Sequence, residues 1–161
     1  MLFRSAFFVP GDNDWTDCDR PANGGFNSRE RLDFERKFFF GSPNSMGKTT
    51  LASDVQPGLN CLGSTGAVQC SEHRVWEYKG VTYATVNVQG SCNNLCDTDP
   101  DRAEWTQRVF ASRLWLTQVF ARAKANGSSA VVLLTQADPG FDASDGTRAP
   151  TRDPKTLAET D

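Results

Sequence analysis

The sequence is short of the features that mark several large functional classes. Its 17 Lys and Arg residues are outnumbered by 20 Asp and Glu residues, the net charge is -3, and there is no basic patch or run of like charge. A nucleic-acid-binding protein normally carries such a patch, so the sequence predicts no nucleic-acid partner. No segment approaches the roughly 20 apolar residues of a membrane helix, so no membrane partner is predicted either.

Hydrophobic residues and histidine are also scarce. Hydrophobic residues make up 38% of the chain, against a usual share of roughly 45–50%, and 11 Phe and 4 Trp partly compensate because aromatic rings bury a large area. The only histidine, His73, has no acid or thiol partner at a useful spacing, so we expect it at the surface. The length suits one domain, which we place at 1–140, followed by a polar and disordered tail at 141–161.

The first ten residues do not make a convincing signal peptide. Arg4 interrupts a short apolar run, and no small-residue cleavage site follows it. The chain also begins almost inside a predicted strand, which indicates that the natural front of the polypeptide is missing.

Five cysteines are many for a cytosolic protein of this size. Cys61 with Cys70, and Cys92 with Cys96, would each close a loop, as in an extracellular or secreted protein, and Cys18 would be left over. Free thiols are the main alternative. A zinc site is disfavoured because neither spacing has a second matching pair or a nearby histidine.

The hydrophobic pattern and the turn residues predict an α/β chain. The predicted elements are a short buried strand from Ala6 to Val9, a helix from Ser28 to Phe39 capped by Asn27, a hairpin of Arg74 to Tyr78 and Val81 to Val88 around Lys79-Gly80, a long helix capped by Asp99 and ended by Asn126-Gly127, and an apolar strand of the parallel-sheet type from Ala130 to Leu134.

Helical spacing also predicts which side chains face the core. In the first helix these are Phe34 and Phe38. In the long helix the predicted apolar stripe consists of Val109, Leu116, Val119, Phe120 and Ala123, with help from Trp105 and Phe110.

The segment from Gly41 to Ser71 is long and polar and has no clear hydrophobic periodicity. Loops of this length are usually functional or partly disordered. It contains Gly47-Lys48-Thr49, which invites interpretation as a nucleotide-binding phosphate loop. That motif needs four residues between its first Gly and the Gly-Lys-Thr, followed by an apolar helix. The spacing here is wrong and Pro57 stops any helix, so we reject nucleotide binding and expect Lys48→Ala to leave nucleotide affinity unchanged.

Polar residues follow three of the predicted strands. They are Asp12 and Asn13 after the first strand, Asn87 near the end of the second hairpin strand, and Gln136 and Asp138 after the last strand. Ligands of α/β folds collect at such strand ends, and hard divalent metals bind oxygen clusters of this kind. The structural alternatives are an Asx-rich surface turn at 11–14 and an Asn87 that caps the turn at Gly90.

The stretch from Pro10 to Cys18 resembles the calcineurin-like metallophosphoesterase superfamily, closest to its uncharacterised bacterial branch. A strand there runs into Pro-Gly-Asp-Asn-acid-Trp-Thr-Asp-Cys, as it does here. The resemblance extends over roughly Ala6 to Phe141. Its supporting matches are Glu30-Arg31-Leu32 to Phe39, Ser45-Met46-Gly47, Val81 to Gly90 running into Ser91 and Asn93-Asn94, Trp115-Leu116, and Gln136 to Pro139.

The resemblance implies a two-sheet αββα sandwich flanked by helices, and a centre of two divalent metal ions (Mn, Fe or Zn) that activates water to attack a phosphoester. Asp12 stands where the family has an Asn ligand on the bridging side. Asn13 stands in place of the His that protonates the leaving group, and Asp14 matches the acid that orients that His. Asn87 and Gln136 stand at or near the positions of later His ligands.

Several departures from the family pattern reduce the expected activity. Asn13 cannot act as a general acid near neutral pH, and Asn87 is a weaker ligand than an imidazole. The family's opening Asp-x-His and Gly-Asp-x-x-Asp motifs should precede this chain and its Gly-x-His pair should follow Pro139, and none is present.

We therefore expect a partial sandwich without its N-terminal strands and C-terminal motif. We expect it to be weakly active or inactive towards a phosphoester small molecule. The alternative is a secreted, disulfide-stapled binding module that kept the scaffold and lost catalysis. The sequence leaves the oligomeric state open.

Overall fold

A computed structural model describes residues 4–138 of the chain. It confirms a mixed α/β fold with two sheets and helices; the predicted tail at 141–161 lies outside the described residues. The helices and strands are α1 (Ser28–Phe39), β1 (Asp54–Val55), β2 (Asn60–Leu62), β3 (Ala67–Gln69), β4 (Arg74–Tyr78), β5 (Val81–Thr85), α2 (Asp99–Ala125) and β6 (Ala130–Leu134), and short 3-10 turns lie at Asp12–Asp14, Thr16–Asp19, Pro21–Asn23 and Ser91–Asn94.

The main sheet has the strand order β1-β4-β5-β6, and β2 and β3 form a separate antiparallel ribbon. Lys79 and Gly80 connect β4 to β5 with φ of 50° and 74°, which is the conformation that a tight two-residue hairpin requires. Strand β6 pairs in parallel with β5, with Thr85 opposite Leu134. The predicted hairpin and parallel strand are confirmed, although β5 ends at Thr85 and not at Val88.

Helix α2 covers one face of this sheet. Val75, Ala84, Val86, Trp115 and Val119 form the buried hydrophobic cluster between them. The Trp115 indole N–H donates to the Thr85 carbonyl at 3.0 Å, which fixes the helix to the end of β5.

The other face of the sheet carries aromatic rings, because side chains alternate between faces along a strand. The Trp76 and Tyr83 rings stack there across β4 and β5, with centroids 5.5 Å apart. Phe7 stacks on Trp76 at 3.7 Å. The segment from Ala6 to Val9 is therefore packed against the sheet, but it is not the strand that was predicted, since its only bridge joins Ala6 to Met46.

The prediction that Phe34 and Phe38 face inward was wrong, because their exposed fractions are 52% and 69%. Helix α1 instead buries Leu32, Glu35 and Arg36. The reason is an ion pair: Arg36 reaches the buried Glu72 at 2.6 Å, and this contact turns the charged side of the helix inward.

The stripe predicted for α2 was only partly right. Val119 and Ala123 are buried, but Phe110 and Phe120 are 55% and 53% exposed. Further buried residues of this helix are Glu104, Arg108, Ala111 and Trp115.

The ends of the helices depend on local turn chemistry. Asn27 caps α1 as predicted, since its side chain accepts a hydrogen bond from the Glu30 N–H at 3.0 Å. Thr98, and not Asp99, is the N-cap of α2, and Asn126 follows its last residue as predicted. None of the helices within residues 4–138 has the length and apolar character to cross a membrane.

Three further predictions can be compared with the structure. The cysteines pair as Cys61–Cys70 and Cys92–Cys96. Cys18 is a free cysteine of the described chain. The segment predicted to be irregular, 41–71, contains β1, β2 and β3. It forms bends at 47–49 and no helix afterwards, unlike a phosphate loop.

Candidate functional site

The chain segments that follow β5 and β6 continue side by side beyond the last paired residues of the sheet. The Val86 N–H donates to the Leu134 carbonyl at 2.9 Å, and the Ala137 N–H donates to the Val88 carbonyl at 3.0 Å. These hydrogen bonds keep the segment after β5 beside the segment after β6 as far as Gln136. There the Gly90 N–H donates to Gln136 Oε1 at 2.7 Å.

The turn after Val9 lies directly over this point. A Cβ atom on Gly90 would stand 3.0 Å from Asp12 Oδ2 and 3.7 Å from Gln136 Oε1, and one on Gly11 would stand 3.5 Å from Gln136 Cγ. A side chain at position 90 would crowd Asp12 Oδ2, so the absence of one lets this oxygen approach the backbone. We call the group formed by Gly11, Asp12, Gly90 and Gln136 the polar edge.

Hydrogen bonds within the turn hold Asp12 in place. Asp12 Oδ1 accepts from the Asn13 N–H at 2.8 Å, and Asp14 Oδ2 accepts from the Gly11 N–H at 2.8 Å. The Thr16 hydroxyl donates to the Asp12 carbonyl at 3.1 Å. The Asx-rich turn and the strand-end cluster are thus the same structure, and Asn13 and Asp14 are its exposed members.

Asn87 does not reach the polar edge. Its side chain is fully buried, and its Nδ2 donates to Glu72 Oε1 at 3.1 Å while its Oδ1 accepts from Gln89. It does not cap the turn at Gly90 either, since Gln136 provides that acceptor. β5 stops two residues before Asn87, and the next segment turns Asn87 into the interior. The role of Asn87 as a ligand beside Asp12 and Gln136 therefore stays a prediction.

A buried polar network lies beneath the polar edge. Arg108 is fully buried; it pairs with Glu104 at 2.7 Å and donates to Asn93 Oδ1 and to the Asn87 carbonyl at 2.7 and 2.8 Å. Its guanidinium also lies over the Trp15 ring, 5.0 Å from the centroid. This network ties the turn after Val9 and the loop after β5 to α2.

Glu72 and Arg36 form the second buried ion pair of the interior. Burial alone would raise the pKa of Glu72, but the charge and hydrogen bonds of Arg36 dominate and lower the pKa to about 2. Glu72 is therefore ionised at neutral pH and accepts from both Arg36 and Asn87.

His73 is fully buried, which contradicts the surface position predicted for it. The Gln56 amide nitrogen donates to the Ala111 carbonyl, so the Gln56 amide oxygen accepts from His73 Nδ1 at 2.8 Å. The other ring nitrogen of His73, Nε2, lies 3.3 Å from the Ser112 hydroxyl. Burial lowers the pKa of His73 to about 4, although the charge of Glu72 opposes this. Both ring nitrogens therefore lie within hydrogen-bonding distance of interior side chains.

Glu35 is a buried acid that the sequence did not reveal. It is 4% exposed and its Oε2 has no hydrogen-bond partner within the described chain. Burial raises the pKa of Glu35 to about 8, and the negative charges of Asp14 and Glu72 add to this effect. A Glu in the second turn of an amphipathic helix is normally predicted to be exposed, so only the packing of α1 shows that Glu35 is buried.

The residues of the polar edge do not fit a complete two-metal centre. Nowhere in residues 4–138 do three His, Cys, Asp or Glu side chains cluster in a way that could hold a metal ion. The polar edge offers one carboxylate, on Asp12, and the Gln136 amide oxygen, which already accepts from Gly90. These oxygens could supply only part of a coordination sphere.

Comparisons of the chain with family models, curated proteins and solved structures gave no match.

Proposed function

We propose that this chain is a metallophosphoesterase-type scaffold whose polar edge binds a divalent cation weakly, and that the chain alone hydrolyses phosphoesters poorly or not at all. The observation that carries the proposal is the meeting of Asp12 and Gln136 over Gly90. These residues come from distant parts of the sequence. Asp12 from the turn after Val9 and Gln136 from the segment after β6 both come within contact of Gly90. The calcineurin-like αββα architecture is part of the same proposal and rests on the resemblance of Pro10 to Cys18.

Weak binding follows from the chemistry of the donor atoms. One carboxylate and one neutral amide oxygen satisfy few of the six or more positions of a hard cation, so water must fill the others. Hydrolysis by two metal ions needs both ions to clamp the attacking and the leaving oxygen. Asn13 also has no proton to give to a leaving group near neutral pH.

Calorimetric titration with Mn²⁺ tests the proposal. We expect a dissociation constant of about 0.1–1 mM, as for weak extracellular cation sites, and no turnover of an aryl phosphate. Asp12→Asn should weaken binding about tenfold, which corresponds to the loss of one charge-assisted contact. The matched control is Asp99→Asn, because the Asp99 side chain is 94% exposed and pairs with Arg102 on α2.

Two outcomes would contradict this proposal. Tight binding of two ions with turnover would mean that the chain carries a complete site. Equal Mn²⁺ affinity in the wild type and in Asp12→Asn would mean that the polar edge is not the site.

A secreted binding module is the second candidate, and the two disulfides favour it. Cys61–Cys70 joins β2 to the residue that follows β3, and Cys92–Cys96 closes the loop beside the polar edge. Disulfides of this kind are compatible with an extracellular protein. Counting thiols in the native chain tests this candidate: it predicts one reactive thiol, on Cys18, whereas five would remove its support.

A further inference from the structure

The loop that follows Gly90 has an unusual backbone conformation. Cys92, Asn93 and Asn94 have φ angles of 63°, 50° and 72°. These values lie in the left-handed region, which few residues with a side chain adopt and which Asn adopts more readily than Cys. Three consecutive residues in this region persist only where the surrounding structure imposes the conformation, and such strain concentrates at functional sites.

Two sets of contacts impose the conformation. From within the protein, the Asn93 N–H donates to the Gly90 carbonyl at 2.9 Å, while Asn93 Oδ1 accepts from the Gln89 N–H at 3.0 Å and from Arg108 at 2.7 Å. From the outside, the Cys92–Cys96 disulfide fixes the two ends of the loop. The same loop therefore determines where Gly90, and with it the hydrogen bond to Gln136, is placed.

The two disulfides differ in their accessibility to a reductant. Cys61 and Cys70 are both fully buried. Cys92 is 5% exposed, but Cys96 lies on the surface. A thiolate can attack a disulfide only at a sulfur atom that it can reach, and exposed or strained disulfides are the more easily reduced ones.

We infer that Cys92–Cys96 is a redox-sensitive latch that holds the polar edge in its observed arrangement. One thiolate of a dithiol reductant attacks Cys96 Sγ, the S–S bond breaks, and Cys92 leaves as a thiolate that takes up a proton. The second thiol of the reductant then attacks the mixed disulfide, so that Cys96 is released as a thiol and the reductant becomes a disulfide. With its ends free, the loop leaves the left-handed region and Gly90 separates from Gln136.

Limited reduction by dithiothreitol tests this inference, with thiol alkylation and mass spectrometry used to follow each cysteine. We expect Cys92–Cys96 to be reduced at least about tenfold faster than Cys61–Cys70, because only the former contains an exposed cysteine, Cys96. Amide hydrogen exchange at Gly90 and Asn93 should then accelerate about tenfold or more, while the amides of β4 and β5 stay protected. Equal reduction rates, or unchanged exchange at Gly90 after reduction, would overturn the inference.

Two paired variants strengthen the test. Replacing Cys92 and Cys96 together by Ser should reproduce the fast exchange of Gly90 without a reductant. Replacing Cys61 and Cys70 together by Ser is the matched control, and its Gly90 should still respond to dithiothreitol. If either variant fails to fold, the reduction rates and amide exchange of the wild type still test the inference. Amide exchange does not depend on Mn²⁺, so this test remains valid even if the cation proposal fails.

Discussion

Buried ionisable side chains determine how individual residues of this protein respond to pH. His73, Glu72 and Glu35 all lie inside, yet their surroundings differ. Glu72 has a guanidinium partner. One Glu35 carboxyl oxygen has no hydrogen-bond partner within residues 4–138, and the side chains that His73 contacts are neutral. An ion pair stabilises the ionised form of a buried group, whereas a buried group without an ion-pair partner favours its neutral form.

His73 should make the protein less stable in mild acid. Its pKa is lowered from 6.5 to about 4 in the folded state, so between these values the unfolded chain binds a proton that the folded protein does not. The contribution of His73 to stability is therefore highest above pH 6.5, falls as the pH is lowered, and levels off near pH 4 after a loss of about 3 kcal/mol. Urea unfolding of the wild type and of His73→Gln at a series of pH values measures this as the difference between the two proteins.

The difference is needed because Glu35 has the opposite effect over part of the same pH range. A wild-type-minus-variant stability that stays constant between pH 6.5 and 4 would show that His73 titrates normally in the folded protein.

Glu35 should make the protein less stable in mild alkali. Its folded pKa is raised from 4.5 to about 8, so its contribution is fully present below pH 4.5 and is lost as the pH rises through 8. We expect Glu35→Gln to be as stable as the wild type near pH 4.5 and more stable by on the order of 3–5 kcal/mol above pH 8. Denaturant unfolding at these two pH values measures the effect, and equal stabilities at both would contradict a buried, neutral carboxyl.

At the scale of elements, helix α1 shows that a helix can bury its charged side. Arg36 contacts Glu72 and the Leu62 carbonyl, while Phe34 remains on the outside. Arg31 lies over the Phe34 ring at 5.5 Å, so the exposed aromatic side is partly covered by a charged side chain of its own helix. The inner side is anchored by Leu32, which is fully buried.

Two alanine substitutions in α1 should therefore have very different effects. Leu32→Ala removes a fully buried side chain and should destabilise the protein by about 2–5 kcal/mol. Phe34→Ala, at a position that is 52% exposed, should cost less than about 1 kcal/mol. Thermal or urea unfolding measures both losses. A larger loss of stability for Phe34→Ala than for Leu32→Ala would indicate that Phe34 faces the core, as the sequence predicts.

Local turn chemistry explains which elements the sequence could predict. Lys79-Gly80 and Asn126-Gly127 define a hairpin and a helix end through a few neighbouring residues, and both predictions were confirmed. Which side of a helix faces the core depends on contacts with residues that are distant in the sequence. Arg36 needs Glu72, and the spacing of Glu104 and Arg108 indicates an ion pair on one helix but not that the pair is buried.

At the scale of the whole molecule, the polar edge exists because three segments of the chain converge. The turn that carries Asp12, the loop at Gly90 and the residue Gln136 are held together by the parallel pairing of β5 with β6 and by the buried Arg108 network. The sequence predicted strands before Asp12 and before Gln136, which led us to expect them near one another, although only the second of these strands is present. It could not place Asn87, because nothing local indicates that β5 ends at Thr85.

Nuclear magnetic resonance with substoichiometric Mn²⁺ tests the central claim most directly, because the unpaired electrons of the ion broaden only nearby amide signals. We predict that the amides of Gly11, Gly90 and Gln136 broaden first, and that Asp12→Asn removes this selectivity. Broadening that begins elsewhere, for example around the exposed Asp99, and that is the same in both proteins would contradict a cation site at the polar edge.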